Sequence, residues 1–98
     1  MNEKMNEMVK LIVLLETAHV PYETREHWSG TIQVGYPSFE NTICDVVCFP
    51  GSYGYEQGLL EIMGLVDEEE VGDTVEGYLT AVEVFQRIYR NCKERYRW

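Results

Sequence analysis

Residues 42–66, TICDVVCFPGSYGYEQGLLEIMGLV, place the tightest limit on what this chain can fold into. Two apolar runs, 42–49 and 59–66, flank a connector rich in glycine and tyrosine. In the first run Cys44, Val46 and Cys48 alternate with Ile43, Val47 and Phe49, so both faces are apolar apart from Asp45. A strand apolar on both faces belongs in the middle of a sheet. Periodicity leaves 59–66 open between strand and helix, and the flanking Gly58 and the internal Gly64 favour strand.

The rest of the chain is expected to cover that centre. Residues 3–18 read as a helix, with Met5, Met8, Val9, Ile12 and Leu15 at helical spacing and Leu11, Val13 and Leu14 widening the apolar face. Pro21 disfavours helical geometry at Val20 and ends it near His19. Residues 22–28 alternate as a strand whose charges suit a sheet edge. Ser29-Gly30 turns the chain into a strand over 31–36, stopped by Pro37. Residues 67–76 read as an acidic linker, in which Asp67 and Glu70 have the spacing to cap a helical turn. A capping box, Thr80 with Glu83, opens a last helix whose apolar stripe is Val82, Phe85, Ile88, Tyr89 and Cys92. Arg87, Arg90, Lys93, Arg95 and Arg97 gather toward that helix's C-terminal end, where cations complement the dipole. The order implies a single α+β domain over residues 1–98: an antiparallel sheet of three to four strands flanked by an N-terminal and a C-terminal helix.

At 98 residues the chain has the apolar content for one core, and its net charge of -9 disfavours direct binding to phosphate backbones. The natural partner of such a surface is a protein with a basic surface. The apolar run 11–15 is far shorter than the ~20 residues of a membrane span. No secretory signal pattern opens the chain and the cysteines number three, so a reducing cytoplasm is the expected location.

Three features invite chemistry. Cys44 and Cys48 lie about 13 Å apart on a strand, too far to share a metal or a disulfide. They read as core thiols, and no metal or cofactor is expected. His19 and His27 lie in no motif with Cys44, Cys48, Cys92 or Ser52, which leaves a small Cys/His enzyme as the weakest reading. The connector 50–58 carries glycines at 51, 54 and 58, yet it lacks a phosphate-loop lysine, and Glu56 would repel phosphate. Tyr53 and Tyr55 on it either suit a protein contact, since tyrosine supplies a large amphipathic area at low entropy cost, or pack back on the sheet edge. The acidic residues Asp67, Glu68, Glu69, Glu70, Asp73 and Glu76 lack the glycine-punctuated spacing of a calcium loop. They read either as a solvated linker or as a mimic of nucleic-acid charge.

The segments GSYGYEQGLLEIMGL (51–65) and GYLTAVEVFQRI (77–88), with an opening helix running into Val20-Pro21-Tyr22-Glu23, resemble small uncharacterised proteins encoded by phages and mobile elements of Firmicutes. That resemblance implies a context in a bacterial host cell and transfers no catalytic residue. In size, acidity and element order the chain is also similar to some anti-CRISPR proteins, which occupy the nucleic-acid groove of a nuclease. The expectation is therefore a non-enzymatic, phage-type acidic protein that binds a protein partner and inhibits a host nucleic-acid-handling or defence system by charge mimicry. Its expected contact residues are Tyr53, Tyr55, Glu56, Asp67, Glu68, Glu69, Glu70, Asp73 and Glu76. The alternative is a structural or accessory homodimer joined through strand edges or the two-faced first helix.

Overall fold

The computed structural model describes residues 6–27, 30–66 and 74–96. Helix α1, Glu7–Thr17, starts where the Asn6 side chain accepts the Val9 N–H at 2.8 Å. It closes in a Schellman motif: His19, at φ 59°, donates to the Glu16 carbonyl while Val20 donates to that of Leu15. Buried Val20 and Leu15 supply the hydrophobic contact of that motif. His19 is thus the left-handed residue that ends a helix.

Five strands follow as an antiparallel meander in the order β1-β2-β3-β4-β5: β1 Glu23–Glu26, β2 Ile32–Tyr36, β3 Cys44–Val47, β4 Leu60–Met63 and β5 Val75–Leu79. Helix α2, Ala81–Tyr96, completes the expected α+β arrangement with one strand more than the three to four expected. The additional strand, β5, takes in the last two residues of the stretch that reads as an acidic linker and the three residues after it. The two-faced apolar strand β3 lies at the centre, and the charged strand β1, every residue of it exposed, lies at an edge. Residues 60–63 are strand.

One face of the sheet packs on both helices. Val34, Tyr36, Cys44, Val46, Leu60, Ile62 and Leu79 form a single core with Leu11 and Leu15 of α1 and Ala81, Val84, Ile88 and Cys92 of α2. The contact row of α2 is therefore 81, 84, 88 and 92. The expected stripe is rotated by part of a turn: Phe85 and Tyr89 sit at its margin, and Val82 is 52% exposed. On α1 the buried row is Met8, Leu11 and Leu15, and Val9 and Val13 face outward. On α1 the difference arises because the helix is apolar over more than one face, and a broad apolar face does not specify its own central line.

Polar contacts fix the helices. The capping box forms as expected, with the Thr80 N–H donating to Glu83 Oε1 at 2.8 Å and the Glu83 N–H to Thr80 Oγ1 at 3.2 Å. The buried Tyr36 hydroxyl donates to Asn91 Oδ1 at 2.7 Å, joining β2 to α2. Glu7 in the first turn of α1 accepts the Ala81 N–H at 2.7 Å, so one helix start supplies an acceptor for an orphan donor of the other. That bond, and next the Lys10 ammonium, hold the Glu7 carboxyl below the usual carboxylate range against partial burial. A carboxyl depressed in the folded state stabilises above its unfolded value, and the benefit fades as pH falls through the folded value. Glu7→Ala should cost about 1 kcal/mol in urea unfolding near neutral pH. The gap should close in acid below the usual carboxylate range; a gap independent of pH would contradict the tie.

Candidate tyrosine groove

The chain between β3 and β4 is a compact loop. The Ser52 hydroxyl donates to the Phe49 carbonyl at 2.8 Å and accepts the Phe49 N–H at 3.1 Å, which closes the first turn. A 3-10 turn, Tyr55–Gln57, follows between Gly54 at φ 98° and Gly58 at φ 73°. Gln57 and Leu59 both donate their N–H groups to the Gly54 carbonyl.

This loop folds back onto β5. The Tyr78 N–H donates to the Tyr53 carbonyl at 3.2 Å, and the Tyr53 N–H donates to Glu61 Oε2 at 2.9 Å. The two backbones approach so closely that two positions must be glycine. A Cβ on Gly77 would lie 2.1 Å from the Tyr53 Cβ and 2.6 Å from its carbonyl oxygen. A Cβ on Gly54 would lie 2.9 Å from the Tyr78 nitrogen, at a φ that side chains rarely adopt.

A bulge accompanies the approach. Leu60 pairs with Leu79 but Ile62 pairs with Glu76, so Gly77 and Tyr78 together oppose Glu61. Tyr78 sits at φ 61°, the left-handed region, with its N–H turned to the loop. Tyr53 is 60% exposed, Tyr55 39% and Tyr78 58%. With Glu56 they line one groove of about 250 Å³.

Tyr53, Tyr55 and Glu56 are thus together at one end of the sheet. Glu76 lies elsewhere, on the helix-covered face, where both its carboxylate oxygens accept from Arg87, at 2.8 and 3.1 Å. Asp67, Glu68, Glu69, Glu70 and Asp73 lie outside the described residues. The chain enters that segment after Val66 and leaves it at Thr74, beyond the Met63–Val75 pair that marks the end of β4 opposite the groove. Tyr78 and Gly77 were not among the expected contact residues. The available signal was the Gly-Tyr pair just ahead of the capping box, a glycine-tyrosine neighbourhood like that of the connector.

The thiols and His27 lie on opposite faces of the sheet. Cys44 and Cys92 are buried in the helix-covered core and Cys48 is half-buried, and all three are free. Burial pushes the Cys44 thiol up to about 12 and also raises those of Cys48 and Cys92, which keeps them protonated and poor as nucleophiles. His27 belongs to the opposite face of the sheet, away from α1 and α2. Its Nε2 lies 2.9 Å from Gln33 Oε1, and the Gln33 amide donates to Asp45 Oδ2 at 3.0 Å. Because the amide faces Asp45, the Gln33 oxygen faces His27, whose Nε2 then carries the proton. Burial raises the Asp45 carboxyl, partly offset by the Gln33 bond. Nearby the Arg25 guanidinium lies 3.9 Å from the centre of the Phe39 ring. Among the described residues no group of three His, Cys, Asp or Glu side chains could hold a metal ion, and no helix is long and apolar enough to cross a membrane.

Gly77→Ala should force the loop off β5, at a cost of about 1–3 kcal/mol typical of overpacking. Backbone NMR shifts should concentrate at Ser52–Gly54 and Gly77–Leu79 while the Tyr36 and Ile88 signals stay put. Wild-type stability and unmoved loop signals would show that the close approach is not what seats the loop. Comparison with protein-family models, curated proteins and solved structures finds no match for this chain.

Proposed function

We infer that this protein is a non-enzymatic binding protein that engages a protein partner with a basic surface, using the tyrosine groove as its anchor and the acidic residues as its attracting field. The carrying observation is convergence: Tyr53 and Tyr55 from the loop and Tyr78 from β5, all exposed, line one groove on a backbone held by glycine contacts. Exposed tyrosines on a rigid support give contact area with little ordering cost, the chemistry of recognition surfaces. Charge supports the partner's sign. No lysine or arginine lies between Arg25 and Arg87, while acidic residues recur throughout that stretch.

The finer form of the reading is charge mimicry: the acidic surface takes the place of nucleic acid on a basic host protein and inhibits a nucleic-acid-handling or defence system, in the manner of anti-CRISPR proteins. The net charge of -9 supports it, and so does the resemblance to phage and mobile-element proteins. Its setting would be the cytoplasm of a bacterial host. The rival reading, a homodimeric accessory module, draws on the outward-facing Val9 and Val13 of α1. A purely monomeric sedimentation profile at high micromolar concentration would remove that rival.

Tagged protein incubated with bacterial lysate should retain a specific partner, identified by mass spectrometry. Replacing Tyr53 and Tyr78 by alanine should lower retention at least about tenfold, the scale of an interface hot spot. Reversing Glu68, Glu69, Glu70 and Asp73 to lysine should also weaken retention and flatten its salt dependence. Undiminished retention by both variants would contradict the reading.

A further inference from the structure

We propose that the groove between Tyr53 and Tyr78 is an arginine receptor: it takes an arginine side chain of the partner, stacked on the phenol rings with its guanidinium turned to the Glu56 carboxylate. The proposal rests on the binding reading above and names the chemistry of its anchor.

Shape and charge both favour this occupant. The groove combines three exposed tyrosines with Glu56 in about 250 Å³, a space of the size a single side chain enters. Phenol rings carry negative charge on their faces, so a cation above them is attracted without an ion pair. Glu56 supplies the formal charge at the rim, and the Glu61 carboxylate stands behind the loop, bonded to the Tyr53 N–H. The described residues lining the groove include no cation to compete for the site. An anionic ligand would meet the Glu56 carboxylate and no positive side chain, and a neutral aromatic one would leave Glu56 uncompensated.

Elsewhere the protein shows the contact in its own architecture. The Arg25 guanidinium lies over Phe39 at 3.9 Å, and the Lys93 ammonium lies 5.2 Å from the centre of the Tyr89 ring. The planar guanidinium makes the closer approach, as its flat, weakly hydrated shape allows. Arginine also offers a fork of donors that can reach a carboxylate while the plane stays stacked, whereas lysine is a compact, strongly hydrated point charge. Rigidity adds selectivity, because Gly54 and Gly77 let the loop backbone seat directly on β5 and fix where the tyrosines start from.

The test uses tetra-arginine, tetralysine and tetraglutamine peptides titrated into the intact protein, followed by calorimetry and by NMR shifts of the groove amides. Tetra-arginine should bind roughly tenfold tighter than tetralysine, tetraglutamine should not bind, and the shifts should centre on Tyr53, Glu56 and Tyr78. The paired Tyr53→Leu and Tyr78→Leu substitutions, which keep apolar bulk and remove the rings, should lower tetra-arginine affinity about tenfold. The milder Glu56→Gln should lower it several-fold. A control removing twice that charge away from the groove, Glu40→Gln with Glu94→Gln, should leave it within about twofold. Equal affinity for the arginine and lysine peptides overturns the proposal. So does tetra-arginine binding unaffected by loss of the rings, since both outcomes mean diffuse attraction to an acidic surface. If tetra-arginine fails to bind while a partner is still retained from lysate through Tyr53 and Tyr78, the arginine receptor falls and the wider binding reading stands.

Discussion

The seating of Tyr53 on Gly77 decides what this protein presents to its surroundings. Without a side chain at position 77 the loop backbone comes within bonding distance of β5, and the Tyr78 N–H, turned outward by the bulge, finds the Tyr53 carbonyl. That one hydrogen bond satisfies a donor that the β4–β5 ladder cannot use. It also brings together tyrosines that are 25 positions apart in sequence, 53 and 78. A loop held only at its ends would keep many conformations and would pay an ordering cost on binding. Here the backbone contact has already met that cost during folding.

The frame beneath the loop is supplied by the core and by a small set of polar ties. One sheet face carries the apolar residues that both helices cover, and the other holds buried Val47 with the His27–Gln33–Asp45 file and the Arg25–Phe39 stack. Charge is segregated in the same way. The Arg87–Glu76 pair lets a half-buried cation of α2 and an acid of β5 neutralise one another beside the core. Glu7 is bound to Lys10 and to the start of α2. Glu56, by contrast, is exposed at the groove, where a ligand can meet it.

Much of the frame was legible in the sequence. The alternation of Cys44, Val46 and Cys48 with Ile43, Val47 and Phe49 marked β3 as central, and the charged residues Glu23, Arg25 and Glu26 marked β1 as an edge. Asn6 was not recognised as a cap, whereas Thr80 with Glu83 was, because the capping box adds a second, reciprocal signal. Strand β5 escaped for a physical reason. Glu76 and Leu79 share the helix-covered face although they are three residues apart, since the bulge at Gly77 and Tyr78 shifts the two-residue alternation. Half the groove was legible in Tyr53, Tyr55 and Glu56, whose glycine-rich setting reads as a contact loop. The other half depends on a contact between distant residues, and no local pattern announces that Gly77 will receive Tyr53.

The central claim is that binding occurs at the groove end of the sheet, on a surface formed before the partner arrives. Amide hydrogen exchange of the free protein and of its partner complex measures this directly. Already slow exchange at Tyr78 in the free protein, and added protection on binding confined to residues 51–58 and 75–79, is the predicted result. Fast exchange at Tyr78 in the free protein, or a footprint on the Val9 and Val13 side of α1 with the loop unchanged, would contradict it.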